Sequence, residues 1–268
     1  MKGWIRYLVL GVALIFFLFP VVWIVLTSFK TPGEFLAHPP KWIPHQPNLT
    51  HYFAVAQLGG YAALRNTLIV SSLTTLISIA FGTPCAYSLA RFRIGGRNLA
   101  FWFLSHRMLP PITVAFPVFL LFRSLGWIDT YQALVLTHLT FTLPYVIWMM
   151  RSFFMDVPME IEESAQIDGC SYWQTFTRIA LPLSAPGLVA TAVFCFIFSW
   201  CELLFGLVLS RTAVVPLSVQ LPRYFGQQMV FWGEIGALST LSMLPIFALT
   251  LFTQRFLVRG LTLGAVKQ

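Results

Sequence analysis

Apolar residues along this chain do not alternate with polar ones; they run together in long blocks. Six blocks are long enough to read as helices crossing a bilayer: residues 7–29, 66–90, 99–122, 131–150, 184–210 and 235–254. A crossing needs about 20 apolar residues, because the hydrocarbon layer is roughly 30 Å thick and a helix rises about 1.5 Å per residue. The first two blocks carry no charge, the third is interrupted by His106 and Arg107, and the fifth contains Glu202. The pattern predicts an all-α integral membrane protein with six transmembrane helices. The most polar stretch lies between the fourth and fifth blocks: MEIEESAQIDGCSYWQTFTRIALPL, from Met159 to Leu183. It gathers Glu160, Glu162, Glu163 and Asp168 in a chain that has only nine acidic residues.

Composition agrees with the pattern, since 57% hydrophobic and 10% charged residues lie outside the range of soluble domains. Lys2 and Arg6 precede the first block as they would in a cleaved leader. Its apolar run is longer than a signal core, however, and no small-x-small site closes it, so it reads as a retained span.

Six spans place both termini on one side. That side collects Lys2, Arg6, Arg91, Arg93, Arg97, Arg151, Arg178, Arg255, Arg259 and Lys267, against Lys30, Lys41, Arg65, Arg123, Arg211 and Arg223 on the other. Positive charge favours the cytoplasm, so the termini and the acidic stretch are expected there. This bias and the scarcity of acids account for the net charge of +8, and no basic run with interleaved aromatics suggests nucleic acid. The Pro- and aromatic-rich segment 30–64 and the segment 211–234, with Pro216 and Pro222, are expected to be external loops. No linker or repeat divides the chain, so residues 1–268 read as a single transmembrane domain.

The acidic stretch can be read residue by residue. Pro158 suits a first helical turn, and Glu160, Glu162 and Glu163 lie near the positive end of the helix dipole. A helix over about 158–167 follows. Gly169 fits a left-handed cap, and Ser171 with Gln174 forms a capping box for a second helix. That helix would carry Trp173, Phe176 and Ile179 on an apolar stripe and end at Leu181 and Pro182. Residues 156–183 are therefore expected to form a hairpin under the membrane. Small Ser164 and Ala165 would let a partner approach its backbone. On residues alone it is either a solvated loop or a plug for a cytoplasmic socket.

The spacing Glu163-Ser164-Ala165, three residues, Gly169, nine residues, then Ile179-Ala180-Leu181-Pro182 resembles the E-A-A-x3-G-x9-I-x-L-P motif of permease subunits of binding-protein-dependent ABC importers. Ile167-Asp168-Gly169, Leu181-Pro182-Leu183, RMLPPI at 107–112 and the tail RGLTLGAVK at 259–267 extend the resemblance to the carbohydrate-importing branch. Ser164 stands where the motif has alanine, and Cys201 where such permeases commonly have asparagine.

The resemblance implies a type I importer permease fold, a second homologous permease, a dimeric cytoplasmic ATPase carrying ATP and Mg, and an external solute-binding protein. Its setting would be a prokaryotic inner membrane, among lipid. It also implies that Glu162, Glu163, Ser164, Ala165, Asp168, Gly169, Leu181 and Pro182 couple the chain to the ATPase, with Ala165 against the ATPase groove. Leu261, Thr262, Gly264 and Ala265 would reach into the ATPase interface. The chain has no G-x-x-x-x-G-K-[ST] loop, so it is expected to bind no nucleotide or other cofactor itself and to leave hydrolysis to its partner.

Ionisable residues at membrane depth cost about 2.5–3.5 kcal/mol on insertion scales and so face protein or water. Arg107 either caps carbonyls freed by Pro110 and Pro111 or lines the solute path. Glu202, with Trp200 beside it, belongs either to the path or to an interface. His38, His45 and His51 match no metal spacing, and the cysteines read as packing residues. A secondary transporter would want several intramembrane acids, and an intramembrane enzyme a nucleophile beside His106 or His138. Neither requirement is met.

Overall fold

A computed structural model describes residues 2–35, 37–92, 94–226 and 230–263; the side chains at 2, 3, 97, 100, 104, 107 and 255–263 lie outside the description. The described residues are mostly helical, with no strand. In chain order the helices are α1 (Lys2–Thr27), α2 (Pro32–Phe35), α3 (Thr50–Gln57), α4 (Gly60–Arg91), α5 (Gly96–Met108), α6 (Pro111–Ser124), α7 (Tyr131–Asp156) and α8 (Met159–Ile167). They continue as α9 (Tyr172–Leu183), α10 (Ala185–Trp200), α11 (Leu204–Leu209), α12 (Leu217–Gln220) and α13 (Trp232–Leu263).

Among the described residues, four helices are long and apolar enough to cross a membrane: Trp4–Thr27, Gly60–Arg91, Tyr131–Asp156 and Trp232–Gln254. They match the first, second, fourth and sixth predicted spans. The third and fifth are not the continuous helices expected. The third breaks at Leu109 and Pro110, both extended, before Pro111 opens α6. Pro110 has no amide to donate and disfavours helical backbone at Leu109, while Pro111 suits a first turn. The fifth ends at Trp200 and resumes at Leu204, and it meets α9 at a bend of 78°. Segment 30–64 is also less irregular than expected, since it holds α2 and α3.

The chain divides into two compact units. One comprises Met1–Leu64 with Val219–Pro245. Here Gly236 lets α13 lie against α1, for a Cβ would stand 2.9 Å from the Ser28 amide nitrogen. The loop after α1 is pinned by Glu34, which accepts from the amides of His45 at 2.8 Å and Thr31 at 2.9 Å. Those amide donors hold its carboxyl down at about 2. Lys30 is buried, with its Nζ 3.9 Å over the Trp23 ring.

The other unit comprises Arg65–Ser218 with Ile246–Gln268. Its core has two apolar clusters along α7. Val70, Ala115, Phe122, Leu134, Phe205 and Leu209 pack at one end. Ala86, Tyr87, Tyr145, Met150, Phe154, Phe176 and Cys195 pack at the other.

Asp129, at φ 65°, fastens the first end. Its carboxylate accepts from the amides of Arg211, Thr212, Ala213 and Val214 at 2.7–3.0 Å. Burial opposes ionisation of Asp129, but the four amide donors outweigh it and hold the carboxyl well below its usual range. An Asp129→Ala protein should lose about 2 kcal/mol, near the value of a hydrogen bond to a charged group, because partial exposure lets water replace part of the array. Its thermal midpoint should then fall by about 4–8 °C. A depressed folded pKa stabilises above the ordinary value of 3.8 and ceases to do so as pH falls towards the folded value. The gap between parent and variant should therefore be full at neutral pH and narrow below 3.8, in melts of detergent-purified protein.

Candidate functional site

Val157 is extended because Pro158 follows it, so α7 stops at Asp156 and α8 starts a new direction. At its far end α8 closes as the sequence predicts. Gly169 has φ 92°, its amide donates to the Gln166 carbonyl at 3.0 Å, and the Cys170 amide reaches back to Ala165 at 3.0 Å. This pair of bonds is the Schellman arrangement. Ser171 then caps α9 reciprocally: its Oγ accepts from the Gln174 amide, and its own amide donates to Gln174 Oε1 at 2.9 Å.

The acidic residues do not share one face. Glu162 is turned inward and is 3% exposed. Its Oε1 accepts from Arg91 Nε at 2.9 Å and Nη2 at 2.6 Å, and its Oε2 from the Tyr87 hydroxyl at 2.7 Å. Ala165, one turn on, is also buried, at 9% exposed, so it packs on its own protein. Residues 162 and 165 are three apart and therefore share the inner face. The outer face presents Glu160, Glu163, Ser164 and Asp168, all exposed, around an Ile167 that is 87% exposed. Ser164 turns its hydroxyl back to the Glu160 carbonyl at 2.7 Å.

The second helix departs from expectation in two respects. Its buried residues are Thr175, Phe176 and Ala180, while Trp173 is exposed and Ile179 half-buried. The helix widens to π geometry over Phe176–Ala180, with the Leu181 amide donating to Phe176 five residues back, and this rotates the stripe. It also continues past Leu181 and the exposed Pro182, ending at Leu183. The wide turn directly precedes Pro182, whose ring would press on the fourth carbonyl back in a regular helix.

At membrane depth, Glu202 has a structural task. Its Oε1 accepts from the Phe205 amide at 3.0 Å and its Oε2 from the Gly206 amide at 3.1 Å, capping α11 after the break. It also lines a cavity of about 260 Å³ with His106, Leu109, Pro111, Phe141, Phe198 and Phe205. Trp200 is 5% exposed and stacked on Phe196, and it does not line that cavity. Sequence reasoning assigned His138 no role beside Glu202, yet it is buried, holds Ser199 Oγ at 2.7 Å and approaches Glu202 Oε2 to 3.5 Å. The hydroxyl-rich run Thr137-His138-Leu139-Thr140 was its available signal. The side chains of Arg107, Leu261 and Thr262, and the whole of Gly264 and Ala265, lie outside the described residues.

Comparison with known proteins gives concordant results. The family described as "Binding-protein-dependent transport system inner membrane component" matches residues 58–263. The "Probable ABC transporter permease protein y4oR" of Sinorhizobium fredii is 38% identical over 253 residues, 94% of this chain and 91% of the relative. The "Trehalose/maltose transport system permease protein MalG" of Thermococcus litoralis is 35% identical over 93% of this chain and 91% of its own length. Among solved structures, a chain of a bacterial ABC transporter involved in import of the acidic polysaccharide alginate superposes with a TM-score of 0.77. It shares 22% identity and covers 95% of this chain and 96% of itself.

Proposed function

Since the chain belongs to the binding-protein-dependent transport system inner membrane component family and is therefore a multi-pass transport permease rather than an enzyme, we propose that it forms half of the path of an ATP-driven importer for a carbohydrate or polyol. The other half is a second, homologous permease. A separate ATPase dimer binds and hydrolyses ATP with Mg, and an external binding protein delivers the solute. The membrane is the inner membrane of a prokaryotic cell, with the termini and the 156–183 hairpin on the cytoplasmic side.

The observation that carries this reading is the two-sidedness of α8. Its inner face is locked to the bundle through Glu162, while its outer face offers Glu163, Ser164, Asp168 and a bare Ile167 that none of the described residues covers. An apolar side chain 87% exposed and ringed by carboxylates fits a socket with an apolar floor and a basic rim. The hairpin's neighbours support the topology, since the basic end of α4 at Arg91 meets it directly. The sugar class rests on the relatives, of which one is named for trehalose and maltose. Gly169, Leu181 and Pro182 shape the hairpin, and the 261–265 tail is the second proposed contact with the ATPase. Glu202 shapes the wall of the path and Arg107 belongs to the same region, whereas Trp200 is buried against Phe196 and stands outside the cavity.

In the proposed cycle, closure of the ATPase dimer on ATP displaces both coupling helices and turns the path from inward-facing to outward-facing. Proteoliposomes holding the complete complex should take up a disaccharide supplied with its binding protein, only with ATP inside. Leaving out the ATPase subunit should abolish uptake. Uptake that persists without it, driven by an ion gradient, would instead establish a secondary transporter.

A further inference from the structure

Of the four acids between Met159 and Leu183, Glu162 alone is withheld from the outer face, and the way it is held suggests what it does. Both of its oxygens are occupied by donors from a single helix, Arg91 on Oε1 and Tyr87 on Oε2, residues one turn apart at the end of α4. Arg91 Nη2 also donates to the Val157 carbonyl at 2.9 Å, at the joint between α7 and α8. The Tyr87 ring packs edge-on against Phe154 of α7 at 5.4 Å and lies 5.0 Å from Phe176 of α9. The end of α4 thus grips α8, the joint and α9 at once. Its ion pair is nearly sealed from water, with side-chain exposures of 8% and 4%.

Without this grip α8 would be a nine-residue helix standing on an extended joint, free to tilt independently of the bundle. With it, a push on the outer face passes into α4, which has 32 residues and so reaches about 48 Å. We propose that Arg91 and Tyr87 are positioning residues of transport: through Glu162 they carry the displacement of α8 into α4. This rests on the reading of α8 as the contact with the ATPase. It assigns Glu162 an inward role, distinct from that of Glu163 beside it.

A purely structural bond would make assembly, ATP hydrolysis and uptake fall together when weakened. A strut predicts that they separate. In proteoliposomes of the full complex, Glu162→Gln and Arg91→Gln should keep the ATPase bound and hydrolysing, while solute moved per ATP falls about tenfold, the scale set by one charge-assisted hydrogen bond. Tyr87→Phe leaves the ion pair intact and should lower the ratio about two- to threefold, the effect of a single weaker bond. It carries the test should a broken buried pair prevent folding. The exchanged pair R91E/E162R should regain a substantial part of the ratio.

Solute per ATP unchanged in Glu162→Gln and Tyr87→Phe would overturn the proposal. So would loss of ATPase binding in step with uptake. The underlying reading fails separately: Glu163→Lys and Ile167→Asp permeases that both still bind ATPase normally would remove the premise, whatever the Glu162 variants do.

Discussion

A Glu163→Lys permease is expected to insert and fold normally yet to lose its ATPase on purification. Glu163 is exposed on the outer face of α8 and makes no hydrogen bond or ion pair among the described residues, so reversing its charge removes nothing that holds the hairpin. Against a basic rim the same change replaces an attraction by a repulsion. Hydrogen bonds to charged groups are worth about 1.5–3 kcal/mol, so association should weaken tenfold or more. Ile167→Asp tests the apolar half of the same contact. Burying an isoleucine contributes about 1.5–3 kcal/mol, and a carboxylate in its place would resist desolvation, so the expected loss is again about tenfold or more. Gly169→Val should act by another route: a Cβ there meets nothing within 4 Å, so the whole penalty is the left-handed φ of 92°. That strain is of the order of 1–2 kcal/mol, and it would misdirect α9 relative to α8. Co-purification of the ATPase with each variant, beside a thermal melt of the permease alone, measures the two quantities separately. If Glu163→Lys and Ile167→Asp both retain parental ATPase binding, the outer face of α8 is a solvated surface and the coupling assignment is wrong.

What the sequence revealed depended on the range of the interaction responsible. The four long spans were legible because each is one unbroken apolar run, and burial against lipid or protein asks nothing more of it. The turn from α8 to α9 was legible because its chemistry is local: Gly169 and the Ser171–Gln174 box act within a few residues of themselves. The broken third and fifth spans were only half legible. Pro110 and Pro111 announced a break that the apolar count ignored, while Glu202, expected in the path or at an interface, also caps amides three and four positions ahead, which its place in an apolar run did not announce.

Partners distant in sequence left no trace at all. Nothing near Glu162 says that it turns inward, because the residue that decides this is Arg91, 71 positions earlier. Asp129 is bound to amides more than 80 positions later, and His138 to Ser199 across 61. The π segment before Pro182 was likewise invisible, since the periodicity used to choose an apolar stripe assumes a regular helix.

The close approach of α10 to α7 is equally silent in sequence, and it yields the other large effect. Gly187 lies in the first turn of α10, the helix that leaves the 78° bend at Ser184 and carries the hairpin's direction into the bundle. A Cβ at this position would stand 2.3 Å from Cγ of Phe153 and 2.5 Å from both Cδ atoms. These atoms sit at the root of the ring, so rotation of a flexible tip cannot clear them, and the helices themselves would have to part. Overpacking of this kind costs typically about 1–3 kcal/mol, and in a membrane, where helices associate by close fit, it removes the contact itself. Gly187→Val should therefore lower both the yield of folded permease and its thermal midpoint, by more than Gly187→Ala does. Gly11→Val serves as the control, because a Cβ at Gly11 meets nothing within 4 Å. The discriminating variant is Phe153→Ala: combined with Gly187→Val it makes room for the new side chain, so the double variant should be more stable than Gly187→Val alone. Strictly additive losses would mean that the two helices do not depend on this contact, and that α10 takes its direction from the bend at Ser184 by itself.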